Sequence, residues 1–264
     1  MDSRLARYVS KLDSIAGWFP EFDAYSLEII TSIQRSNSVV GDILEIGAFH
    51  GKSAIALGML TEGNEALHVC DVFGSKTDSA ENDLENEQSY QGLEQQVFER
   101  NYLKWHSGLP TIYAMTSNQM FKTIGDERRF RLIHVDGGHL YRDVRDDVRN
   151  SVRRIVEGGV ICFDDWRRHA GVAAALWEAS SDGQLSPFLL TSQKLYAAVG
   201  DTEPWVGKLK KFYAEIPEAD WMVEEIHSGP VLRMFWSERQ SLMGKIARNV
   251  VPPGFGALRR RLRF

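Results

Sequence analysis

The sequence has no apolar run approaching the ~18 residues that a helix needs to cross a membrane, so no spanning helix is expected. Its start, MDSRLARYVSKLDS, is charged and carries no apolar core, so no secretory leader is expected either. Cysteine is scarce: Cys70 and Cys162 are the two in 264 residues, too few for a disulfide scaffold. Both lie in apolar runs and read as reduced core residues, which suits the cytoplasm. Basic charge is not in excess. The 31 Lys and Arg stand against 36 Asp and Glu, and a net charge of −5 argues against a nucleic-acid partner. No segment recurs at a fixed period, which excludes a solenoid.

What is present is an alternation of short apolar runs with helical stretches. Residues 1–40 read as a helical segment. The strands are GDILEIGA, ALHVCDVF, TIYAMTS, RLIHVDGG and GVICFDD, with PFLLTSQKLYAAVG as a hairpin. Helices are expected between them, at residues 52–62, over SNQMFKTI, at 141–157 and at 170–180. In the third of these Val144, Val148, Val152 and Val156 stack at every fourth position. Strand and helix in turn predict an α/β fold, a doubly wound, mostly parallel sheet with helices on both faces. The main domain covers residues 41–200. Residues 201–264 form an appendage of one helix and two strands with a basic tail, GKIARNVVPPGFGALRRRLRF.

Such sheets bind ligands beyond the carboxyl ends of their strands. Past the first strand comes EIGAFHGKS, which is nearly a P-loop. Only three residues separate Gly47 from Gly51, however, where the phosphate cradle needs four. The Gly-x-Gly of a dinucleotide fold is absent too. What remains is a glycine turn preceded by Glu45, and an acid, Asp71, ending the second strand. Thr116 and Ser117 follow the third strand, DGGH (136–139) the fourth, and Asp164 and Asp165 the fifth.

This arrangement resembles the class I S-adenosylmethionine-dependent methyltransferases, a resemblance that implies a seven-stranded Rossmann-like sheet. It places Glu45, Gly47, Ala48, Gly51, Ser53, Asp71 and Ser117 around S-adenosylmethionine, with Asp71 accepting from both ribose hydroxyls. The two-part motif HVDGGHLYRDVRDDV and GGVICFDDW is similar to that of metal-dependent sugar O-methyltransferases of the macrocin type. By that resemblance Asp136, Asp164 and Asp165 would hold Mg²⁺ or another divalent cation, and His139 would be the general base. Three carboxylates on adjacent strand ends also repel one another and call for a cation. The implied reaction is methylation of a hydroxyl on a sugar or glycosylated small molecule. A phenolic or catechol acceptor, or a non-catalytic nucleotide-binding module, is the alternative.

Other segments carry weaker signals. His169, in DDWRRHAG, can face the same pocket. Residues 74–100 are too long for a plain connection and read as a lid or as an acidic helix pair. Trp18, Phe19, Phe22 and Tyr25 can close the pocket, cap the sheet or pair two subunits in a homo-oligomer. The basic tail suggests weak contact with the inner membrane surface.

Overall fold

The computed structural model describes residues 3–77, 79–90, 92–125, 127–216 and 219–236. The basic tail, and with it the expected membrane-surface contact, lies outside them. No helix among the described residues is long and apolar enough to cross a membrane.

Five parallel strands form the centre: β1 (Asp42–Ile46), β2 (Leu67–Asp71), β3 (Thr111–Ala114), β4 (Phe130–Val135) and β5 (Ile155–Phe163). Next to β5 lies β7 (Leu195–Ala198), antiparallel to it, and then β6 (Ser186–Leu190), its hairpin partner. These are the seven strands that the resemblance implies. Two more extend them. β9 (Gly229–Trp236) pairs in parallel with β6, and β8 (Ala219–Ile226) pairs with β9, giving the order β3-β2-β1-β4-β5-β7-β6-β9-β8. The C-terminal hairpin is therefore part of the sheet and covers an edge that β6 would otherwise leave bare.

Both faces of the central strands are buried, as a doubly wound sheet requires. β4, FRLIHV, is buried along its whole length, and its side chains alternate between two cores. Leu132 joins one with Ile43 and Val160; Ile133 and Val135 join the other with Leu44 and Ile161. The first core is covered by α1 (Ser3–Val9), α2 (Glu21–Ser36), α3 (Lys52–Met59) and a helix at Glu203–Ala214. The second is covered by helices at Ser117–Thr123, Tyr141–Arg154 and Ala170–Ser181.

The helix at Tyr141–Arg154 is shorter than its valine stack predicts. Val144 and Val148 are buried, but Val156 already belongs to β5. The β-branched pair Ile155–Val156 favours extended backbone, and Gly158 at φ +73° lets the strand bend back into register.

The N-terminal segment is clamped to the sheet. The Tyr8 hydroxyl donates to the Lys52 carbonyl, and Lys52 Nζ donates to the Gly17 carbonyl at 3.0 Å. Phe22 stacks on Tyr213, and Tyr196 donates to buried Asp23 at 2.8 Å. From β1 the chain winds out through β2 to β3, then crosses back to β4 on the other side of β1. The loops after β1 and β4 are thus forced together at the switch point.

Candidate active site

A cleft of about 980 Å³ opens at this switch point, over the carboxyl ends of β1, β2, β4 and β5. Its first wall is the glycine loop. Gly47, at φ +81°, donates from its N–H to the Cys70 carbonyl at 2.8 Å. A Cβ on Gly47 would lie 1.9 Å from the Asp136 carbonyl oxygen, so the two loops touch backbone to backbone. Gly51, at φ +88°, caps α3 from outside the cleft. Ala48 and Ser53 are buried and line the wall.

Asp71 ties this loop down. Its Oδ2 accepts from the N–H groups of Ala48 at 2.7 Å and Phe49 at 3.0 Å, and its Oδ1 from Phe73 N–H at 2.8 Å. Burial nonetheless pushes its carboxyl up, against those backbone hydrogen bonds. This geometry disposes of the P-loop reading. The amides that would wrap a phosphate already wrap the protein's own carboxylate, and Lys52 points at Gly17. A carboxylate offers about four lone-pair sites. Backbone N–H groups, with Val72 in addition to the three above, occupy most of these on Asp71, leaving less room for the two ribose hydroxyls expected of it. Asp71→Ala should therefore loosen the loop and remove an acceptor together. A charge-assisted hydrogen bond contributes about 1.5–3 kcal/mol, so calorimetry with S-adenosylhomocysteine should show at least a tenfold loss of affinity. Wild-type affinity would remove Asp71 from the cofactor site.

Glu45 lies beneath this wall. It is fully buried on β1, with Oε1 3.0 Å from His134 Nδ1 and no partner at Oε2. Burial pushes its carboxyl up to about 8; Asp136 and Asp71 add to the rise, while Ser53 and Lys194 oppose it. An acid raised in the folded state sheds its proton on unfolding. Its contribution is therefore full below the unfolded value of 4.5 and is lost as pH rises toward 8. Glu45→Gln keeps an acceptor for His134 and removes the titration. The variant's stability should fall less than the wild type's between about pH 5 and about pH 8, by on the order of 2–4 kcal/mol. Urea midpoints at the two pH values check this, and parallel pH profiles would refute it.

The three acids expected to hold a metal do not converge. Among the described residues, metal-ligating atoms gather in two separate clusters, His134 with Asp136 and Asp164, and His139 with Asp165 and His169. The division arises at Asp165, which turns at φ +56°. Asp164 points inward, buried, to the ammonium of Lys194. Asp165 points out, with Oδ2 3.2 Å from His139 Nε2. Burial works against the Asp165 carboxylate, but the hydrogen bond and charge of His139 hold it below the usual carboxylate range.

Lys194, on the β6–β7 connection, also donates to His134 Nε2 at 2.9 Å. His134 then carries its proton on Nδ1 and donates to Glu45. Burial, followed by the charge of Lys194, holds His134 well below its ordinary value and so neutral. Burial disfavours the Lys194 ammonium as well, yet Asp164, Cys162, Asp136 and Asp23 outweigh it and push it up. Asp136, on the cleft wall, is pushed far up by burial and by the charge of Asp164, with Lys194 opposing. The repulsion that called for a cation is thus relieved from within the chain. Asp136, Asp164 and Asp165 as placed here do not fit one Mg²⁺ shared by all three.

The histidine that reaches the cleft is His169. His139 is buried behind it, with the two rings stacked at 3.9 Å. Ser117 begins its helix on the cleft wall beside buried Asp147, whose carboxyl burial pushes up to about 7, with the Ser117 hydrogen bond opposing. The 74–100 segment forms two helices, Ala80–Ser89 and Gln95–Tyr102, and contributes Thr77, Ser79, Asn82 and Tyr90 to the cleft. Trp18 and Phe49 stack at 5.9 Å near Tyr90, an aromatic rim drawn from three distant parts of the chain. Sequence reading had Trp18 as one that can close the pocket, but it missed Lys194, Asp147 and the rim partners Phe49 and Tyr90. A lone lysine leading directly into the apolar run LYAAV was the available signal for the first.

Comparisons with known proteins bear on the fold. Residues 44–166 match a family described as a methyltransferase domain. The structure of the O-methyltransferase NovP aligns with a TM-score of 0.55 and 17% identity, over 67% of this chain and 79% of that one. The calicheamicin methyltransferase CalS11 aligns with a TM-score of 0.49 and 15% identity, over 75% and 92%. An O-methyltransferase from Bacillus cereus, solved in complex with SAH, aligns with a TM-score of 0.39 and 14% identity, over 88% and 89%. At these identities the likeness is one of fold. No curated protein matches the sequence. Residues 44–166 are thus similar to a methyltransferase domain, carried on a doubly wound α/β sheet of Rossmann-like order.

Proposed function

We propose that the chain is an O-methyltransferase acting on a hydroxyl of a sugar or glycosylated small molecule. The observation that carries this reading is the pairing, along one cleft, of the Asp71-tied glycine loop with a stacked histidine pair. A hydroxyl needs a base to take its proton, whereas an amine or thiolate nucleophile does not need one so urgently. The residues present suit the cofactor. Asp71 lines the cleft, and Glu45 Oε2 is buried without a hydrogen-bond partner beneath the loop. When bound, S-adenosylmethionine supplies a methyl group on a cationic sulfonium.

The chain's own residues do the rest. His169, at the cleft wall, takes the hydroxyl proton as the methyl transfers. His139, paired with Asp165, supports its ring from behind. Arg142, Asn118, Gln119, Asp143 and Gln193 offer the dense set of donors and acceptors that a sugar's hydroxyls call for. The resemblance of DGGH and DDW to the sugar O-methyltransferases supports the same acceptor class. The aromatic rim of Trp18, Phe49 and Tyr90 favours a catechol as the second reading.

Incubation with methyl-labelled S-adenosylmethionine and two acceptor panels, glycosides and catechols, separates them. Label on a sugar hydroxyl is expected. Label on catechols alone would give the function to the second reading, and label on neither would remove both.

A further inference from the structure

The pocket between β1, β4, β5 and β7 contains a cation that belongs to the chain. Lys194 is fully buried there. Its ammonium donates to Asp164 and to His134 Nε2, and it sits 5.6 Å from the centre of the Phe19 ring. An ammonium has three N–H groups. Two have acceptors, and the ring offers an electron-rich face to the charge. The second Asp164 oxygen accepts from Asp165 N–H at 2.7 Å. Two of the three candidate ligands in this cluster, His134 and Asp164, are therefore already engaged by Lys194. A hard dication such as Mg²⁺ needs near-octahedral oxygen and water at about 2.0–2.1 Å. An ammonium and an imidazole nitrogen in the same buried shell supply neither the oxygens nor the room.

We propose that Lys194 is the resident cation of this pocket. It balances the Asp136–Asp164 pair in place of a divalent ion, and the pair binds no such ion in the wild-type chain. This rests on the methyltransferase reading only for what the pocket serves, so its test does not depend on turnover.

The probe is Mn²⁺, followed by its paramagnetic signal, titrated into the full chain, Asp164→Asn, Asp165→Asn, Lys194→Met and Lys194→Met/Asp164→Asn. The wild type should show no binding that Asp164→Asn removes. Lys194→Met should gain a site at least tenfold tighter than any in the wild type, and the double variant should lose it. If Lys194→Met fails to fold, recovery of its folded signal on adding Mn²⁺ supports the proposal, and the wild-type arm still decides. Ion released from the wild type by Asp165→Asn but not by Asp164→Asn sits at the His139 cluster and leaves the proposal standing. Ion released by Asp164→Asn overturns it. Calorimetry with S-adenosylhomocysteine runs alongside. Absent cofactor binding with the expected Mn²⁺ pattern would fell the methyltransferase reading and spare Lys194.

Discussion

Gly47→Ala should cost the fold about 4 kcal/mol or more, the range reserved for a few severe mechanisms. Two of them act at once. The residue sits at φ +81°, where an L side chain is strained by about 1–3 kcal/mol. The new Cβ would also meet the Asp136 carbonyl at 1.9 Å, and that oxygen belongs to backbone pinned by Asp136 N–H to Ile46 O at 2.7 Å. Neither loop can yield without breaking the contact that shapes the cleft. Gly63→Ala is the control. Gly63 has φ +57° but nothing within 4 Å of a Cβ, so it should lose only the conformational part, about 1–2 kcal/mol. Urea unfolding of both variants gives the comparison through the midpoints. Equal losses would show that the loops separate easily and that the close approach does not hold them.

His169→Ala should slow methyl transfer by roughly 10²–10⁴-fold, the usual contribution of a general base, with affinity for S-adenosylhomocysteine unchanged. The residue lines the cleft, whereas His139 lies behind it against Asp165. His139→Ala removes the stacked ring and leaves the Asp165 carboxylate without this partner, so its effect should be smaller and should act through His169. A double variant tests this: residues acting as a unit lose less together than the sum of their separate losses. If His139→Ala alone gives the full loss while His169→Ala stays near the wild type, the base is His139, as the sequence motif suggests. Stopped assays with saturating cofactor separate the outcomes.

The sheet was legible because strands buried on both faces leave short continuous apolar runs. Runs such as RLIHV and VICF allow little but a strand buried on both faces; Asp71 ends β2, and Asp136 and Asp164 directly follow β4 and β5 as expected, whereas Glu45 lies within β1 rather than past its end. What could not be read was direction. Asp164 and Asp165 are neighbours in sequence, and only the left-handed turn at Asp165 sends them to different partners. Lys194 depends on a hairpin register, Leu195 opposite Phe163 and Tyr196 opposite Cys162, that carries its long stem over to the β5 end. An isolated lysine gives no hint of that reach. The β8–β9 hairpin was legible as two strands, but nothing local showed that its partner would be β6. Val156 failed because helical spacing persisted past Arg154, where the β-branched pair Ile155–Val156 already runs as strand.

The clamp between the N-terminal segment and α3 bears on how small this protein can be made. The part that matches a known domain begins at residue 44. Yet Ala16, Gly17 and Trp18 line the cleft, Phe19 lies against Lys194, and Leu5, Tyr8 and Leu27 are fully buried. Trimming the chain to the matched region would strip a wall from the cleft and leave a wide apolar face in water. The smallest working unit is therefore larger than the recognisable one.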